Sequence, residues 1–118
     1  MPRRFIQSLS YARTGVKHAV ATQRNIRIHF AMAVLVFTFG VFLRLSNFEL
    51  VALVLAISFV ILAEMINTSI EEVVNLLTPR KKLPAKIAKD VAAGAVLFSS
   101  ICAIIVGCLI FMPHLFRR

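Results

Sequence analysis

The stretch "FELVALVLAISFVILAEMINTSIEEVVNLL", Phe48–Leu77, opens as a hydrocarbon-loving run and closes as something else. From Leu50 to Ala63 it carries no charge, and then Glu64, Asn67, Glu71, Glu72 and Asn75 follow in quick succession. The whole chain holds five acidic residues, and this segment contains four of them, so the acids are concentrated where apolar character would otherwise argue against any. As a helix the stretch would be about 45 Å long, more than the roughly 30 Å of a bilayer core. A helix that crosses the hydrocarbon and emerges with a polar lower end accounts for both halves.

The rest of the chain supports a membrane setting. Of 118 residues, 59% are hydrophobic, and a chain this short cannot hide such a fraction inside a soluble fold because too much of its surface stays exposed. Three apolar segments almost exclude charge, residues 26–45, 48–63 and 91–113, and the middle one extends through polar lower turns to Leu77. Each approaches the ~20 residues that span hydrocarbon, and none shows the regular polar face of a soluble bundle helix. The expected fold is therefore an all-α membrane protein forming a single membrane domain over residues 1–118, with three transmembrane helices.

Residues 1–23 form a basic segment ahead of the first span. On a helix Phe5, Leu9, Ala12, Val16 and Val20 share one side with Arg13, Lys17 and Arg24 beside it, which predicts an amphipathic surface helix lying in the membrane interface. A frayed basic tail fits that spacing less well. No apolar core long enough for a cleaved signal peptide precedes Arg13 and Lys17. Residues 78–90, "TPRKKLPAKIAKD", read as a basic loop with two prolines. Ser46 or Asn47 is available to cap the second span.

The net charge of +9 reports topology and anionic lipid more readily than nucleic acid in such a chain. Arg3, Arg4, Arg13, Lys17, Arg24 and Arg27 precede the first span, and Arg80, Lys81, Lys82, Lys86 and Lys89 lie in the second loop; only Arg44, Arg117 and Arg118 fall elsewhere. This asymmetry predicts a multi-pass protein with a cytoplasmic amino terminus and second loop and an outer carboxyl terminus. Cys102 and Cys108, six residues apart on one span, point away from each other and read as packing residues. Ala95, Ser99, Ala103 and Gly107 form a strip of small residues suited to close helix packing, and Ala52 and Ala56 begin another.

At 100° per residue, Glu64, Asn67, Glu71 and Asn75 fall within about 80° of one another, with Thr68 just beside them and Glu72 further round. Glu64 lies about 24 Å along the helix from Phe48, near the inner edge of the hydrocarbon. An acid at that depth is costly, so it should face protein or water, and it suggests function; the plainer alternative is an intramembrane ion pair or helix–helix hydrogen bond. Lys89 and Asp90 lie at the same predicted level. Phosphoryl transfer needs a metal, a cation near the polyphosphate and a base for the attacking hydroxyl, and all three residue types are present. There is no Gly-rich phosphate loop. His18, His29 and His114 give no metal-ligand spacing, and His29 reads as a local hydrogen-bonding residue. Ser69, Ser99 and Ser100 have no identifiable base partner.

The motif Glu64-x-x-Asn67-Thr68-Ser69-Ile70-Glu71, together with Ala88-Lys89-Asp90 and "RNIRIHF", strongly resembles the small bacterial integral-membrane lipid kinases, the diacylglycerol kinase and undecaprenol kinase family, over nearly the whole chain. The resemblance implies a homotrimer in the bacterial inner membrane that transfers the γ-phosphate of ATP to a lipid hydroxyl, with active sites shared between subunits. It implies that Glu64 is the general base, Asn67 positions the reactants beside the lipid, Glu71 binds Mg²⁺ with the nucleotide phosphates, Lys89 contacts the polyphosphate and Asp90 the nucleotide. Two positions depart from the family pattern: Gln23 stands where a second metal-binding glutamate is frequent, and Asn75 where an aspartate is common. Both remain candidates for nucleotide binding, and Gln23 for weak metal ligation through its amide oxygen. Undecaprenol is the preferred lipid alcohol and diacylglycerol the second choice. A non-catalytic membrane subunit or ion-translocating assembly, and a degenerate kinase that binds nucleotide only, are the competing readings.

Overall fold

The computed structural model describes residues 2–78 and 82–116. Arg80, Lys81, Arg117 and Arg118, which entered the charge argument, lie outside the described residues. Among the described residues four helices follow one another: α1 Pro2–Thr22, α2 Arg24–Phe42, α3 Asn47–Leu77 and α4 Leu83–Phe116. The last three are long and apolar enough to cross a membrane, which gives the expected all-helical membrane fold. α3 is the central element, packed most extensively against α4 and then α2, while α1 touches α2 lightly.

Each joint has a local cause. α1 and α2 part at Gln23, whose extended backbone breaks the helix. Arg27 stabilises this corner by donating from Nη1 to the carbonyls of Val20 and Ala21, at 3.3 and 3.0 Å, where the end of α1 leaves acceptors unpaired. Ala19 and Ile26 are buried nearby in sequence, Ile26 completely. At its other end α2 closes with a Schellman turn. Leu45 N–H donates to Gly40 O and Arg44 N–H to Val41 O, with Arg44 left-handed at φ 59°. A side chain at position 40 would meet Leu45, whose Cδ1 lies 2.9 Å from where a Cβ would stand. Glycine there lets Leu45 fold back over the helix end.

α3 starts with a capping box. Ser46 Oγ accepts from Glu49 N–H, and Glu49 Oε1 accepts from Ser46 N–H. Of the two expected caps, Ser46 is the one used. Around this turn lies the buried cluster of Leu45, Leu53 and Ile110, flanked by Val36, Leu50, Val106 and Phe111, with Phe39 and Phe111 stacked at 5.5 Å. Glu49 Oε2 also meets His114 Nε2 at 2.8 Å, tying the start of α3 to the end of α4.

Two boundaries need correction. The residues expected in a loop up to Asp90 are helical from Leu83, because Pro84 sits in the first helical turn, where a missing N–H costs nothing. The third span was expected to stop at Pro113, but α4 continues to Phe116; a proline this close to the end removes one bond of the last turns. The apolar sides of α2, α3 and α4 stay largely exposed within one chain. All side chains from Arg3 to His18 of α1 are exposed as well. Cys102 and Cys108 are free and exposed, not paired.

Candidate functional site

The polar lower half of α3 faces inward at its upper end. Glu64 is 5% exposed and Thr68 9%, so the expectation that this acid faces protein holds. Thr68 Oγ1 donates to the Glu64 backbone carbonyl at 3.0 Å, absorbing its own hydroxyl into the helix. The Glu64 carboxylate is met from α2: His29 Nε2 lies 3.5 Å from Oε1. The expected local role of His29 is therefore corrected to a contact between helices. Periodicity could place both residues near the same membrane level but not the azimuth of α2 against α3.

One turn below Glu64, Asn67 is partly buried and its Oδ1 is enclosed with no hydrogen-bond donor among the described residues. A buried amide oxygen left unpaired costs about 1–3 kcal/mol, so this atom is poised to accept from an incoming group. Glu71 and Asn75 continue down the same face, half-buried and exposed respectively. Lys89 Nζ donates to Asn75 Oδ1 at 2.7 Å across α4 and α3, bringing two candidate nucleotide residues together. Asp90 is engaged by Lys86 one turn earlier, at 2.6 Å. Gln23 lies at the α1–α2 break, and its side chain does not cap α2.

Above this polar line, α2 and α4 splay across α3 and leave a groove of about 680 Å³. Its walls include Met32, Ala56, Val60, Ala103 and Phe111, and His29 lies among them. Ala103 and Gly107 of the small-residue strip open onto this groove, and a Cβ at Gly107 would touch nothing within 4 Å.

The comparisons with known proteins converge on one family. Residues 10–111 match prokaryotic diacylglycerol kinase. The chain belongs to this family. A diacylglycerol kinase of Synechocystis sp. is 44% identical over 109 residues, covering 92% of this chain and 62% of that protein. The undecaprenol kinase of Bacillus subtilis is 38% identical over 112 residues, covering 95% of this chain and 91% of the relative. The chain thus spans less than two thirds of the cyanobacterial protein and nearly all of the Bacillus one.

Prokaryotic diacylglycerol kinases are lipid kinases, phosphotransferases for which ATP is the co-substrate. Three membrane-length helices fit a kinase of the prokaryotic inner membrane. Among the described residues, no three His, Cys, Asp or Glu side chains converge on one point. In kinases Mg²⁺ is usually held by one or two carboxylates together with substrate phosphates. Glu71, a half-buried carboxylate on the polar face, fits such a role.

Proposed function

We propose that this protein is an ATP-dependent lipid kinase that phosphorylates a membrane lipid alcohol, undecaprenol first and diacylglycerol otherwise. The observation that carries the reading is Glu64: an acid almost completely enclosed within a membrane-length helix, in a chain of the lipid-kinase family. Charge at that depth is retained at a cost, and function is the usual reason.

In the proposed reaction Glu64 accepts the proton of the lipid hydroxyl as that oxygen bonds to the γ-phosphorus. The bond between the γ-phosphorus and the bridging oxygen breaks, and ADP leaves with those electrons. Asn67 orients the reactants through its enclosed amide. Glu71 would hold Mg²⁺, which when bound neutralises phosphate charge. Lys89 turns from Asn75 toward the polyphosphate, while Asp90 and Asn75 border the nucleotide and Gln23 is a weak further ligand. Neutral Asn75 leaves Lys89 without a competing carboxylate at that position.

Undecaprenol is preferred for two reasons. A relative bearing that name is 38% identical over 95% of this chain, and the groove beside His29 is apolar apart from His29 and Ser100, which suits a long hydrocarbon with one hydroxyl. The family resemblance supports a homotrimer with shared sites, in which neighbouring copies cover exposed apolar helix faces. The basic residues around α1 and the start of α4 support a cytoplasmic amino terminus and site with an outer carboxyl terminus. The exposed apolar residues Phe5, Leu9 and Val16 support α1 as an interfacial helix.

The test is phosphate transfer from labelled ATP with Mg²⁺ to undecaprenol, diacylglycerol and ceramide presented in parallel. Glu64→Gln should lower turnover by about 10²–10⁴-fold, the usual contribution of a general base. Full-rate transfer by Glu64→Gln would remove the proposed base, and nucleotide binding without transfer to any alcohol would support a degenerate kinase.

A further inference from the structure

We propose that His29 is the positioning residue for Glu64: its Nε2–H holds Oε1 of the enclosed carboxylate, so that Oε2 is presented to the incoming hydroxyl. This rests on Glu64 being the base. The two atoms stand 3.5 Å apart, with side chains 26% and 7% exposed, so solvent has little access to the carboxylate and a partner decides its orientation. A carboxylate has two equivalent oxygens and a soft terminal torsion. Fixing one oxygen selects which lone pairs face the reactant.

The choice of imidazole matters chemically. A lysine or arginine here would keep a permanent cation against the base and weaken its hold on a proton. A neutral imidazole donates one N–H without adding charge, which orients the carboxylate at a smaller cost in basicity. The neighbouring cation on α2, Arg27, is directed instead to the α1 carbonyls of Val20 and Ala21. From α3 the titratable group facing His29 is Glu64. From α4 the groove beside it presents Ser100, Ala103, Ile104 and Cys108, none of them an acidic or basic side chain. His29 also borders that groove, so an alcohol arriving along it would pass the imidazole before reaching Oε2.

The experiment compares His29→Leu, His29→Gln, Glu64→Gln and the double variant Glu64→Gln with His29→Leu, in full-length protein in lipid bicelles. Initial rates are read with undecaprenol and with diacylglycerol. His29→Leu should lower kcat roughly 10- to 100-fold, the scale of misplacing a reacting group by about 1 Å, with KM for ATP and for lipid within about twofold. His29→Gln keeps an N–H that reaches the same oxygen and should recover most of that loss. Adding His29→Leu to Glu64→Gln should change nothing further.

A readout independent of turnover is the ¹⁵N spectrum of His29. It should show Nε2 protonated in the parent and a shifted signal in Glu64→Gln. Full kcat in His29→Leu, equal losses in His29→Leu and His29→Gln, or a His29 spectrum indifferent to Glu64→Gln each overturns the inference. Full activity in Glu64→Gln would instead remove the base itself. Inactive Glu64→Gln beside unimpaired His29→Leu would remove only the role of His29.

Discussion

Replacing Leu53 by alanine tests what holds the helices together when lipid, not water, surrounds them. Leu53 is 2% exposed in the cluster with Leu45 and Ile110, and its Cδ1 lies 3.5 Å from the Cβ position of Gly40, so it joins all three long helices. In water a buried Leu→Ala change costs about 2–5 kcal/mol, as lost transfer energy plus a residual cavity. Three carbons at about 0.8 kcal/mol each account for ~2.4 kcal/mol of transfer. In a bilayer the separated helices stay in hydrocarbon as apolar as leucine, so that share vanishes and only lost packing remains. The expected cost is about 1–2 kcal/mol, a factor of roughly 5–30 in the association equilibrium of the helices. The assay is reversible titration of mixed micelles with SDS, following energy transfer between labels at Val34 on α2 and Leu109 on α4. Leu55→Ala, on an exposed site, should move the midpoint far less. A loss above ~3 kcal/mol for Leu53→Ala would mean that the transfer term survives and that water, not lipid, is the reference solvent.

The turn between α2 and α3 yields two more predictions readable by the same titration. Arg44→Gly relieves a left-handed backbone that L-residues adopt at a cost of about 1–2 kcal/mol, and glycine's extra freedom when unfolded offsets part of it; a net gain of roughly 0.5–1 kcal/mol is expected. Gly40→Val places a branched side chain against Leu45, Leu50 and Leu53 and should destabilise by about 1–3 kcal/mol, the usual range for overpacking. Unchanged midpoints would show that this turn is not held as described.

Much of the architecture was legible before any coordinates, for identifiable reasons. Uncharged runs of membrane length announce spanning helices whatever their packing, and Ser46 and Asn47 ahead of an apolar run mark where the next helix starts without saying which of them caps it. The inward face of Glu64 followed from the cost of the alternative. Prolines misled twice, because Pro84 was placed in a loop and Pro113 at the end of a span, whereas one opens a helix and the other sits in its closing turns. The pairing of His29 with Glu64 and of His114 with Glu49 was out of reach. Each joins residues far apart in sequence, and helical periodicity says which side of one helix is polar without saying which neighbour stands there.

Two ties fix the α3–α4 hairpin and thereby the spacing of the polar face. Glu49 meets His114 at one end and Asn75 meets Lys89 at the other. They are separated by about 39 Å along α3 and about 38 Å along α4, so both helices reach them without a break. With Glu49 at one hydrocarbon boundary, a core of roughly 30 Å ends about 8 Å beyond Glu64, and the Asn75–Lys89 tie falls among the headgroups. Along α3, Glu71 stands about 10 Å below Glu64 and Asn75 about 6 Å further. The proposed base, phosphate-metal carboxylate and nucleotide cation therefore occur in the order in which a lipid hydroxyl, a γ-phosphate and the rest of a nucleotide would meet them. Asn67, with its enclosed and unpaired oxygen, stands between the first two, at the level where the transferred group would pass. A kinase working at a membrane surface needs its acceptor in oil and its donor in water. A single helix that changes character over its last turns, locked in register by α4, meets that need without a phosphate-binding loop.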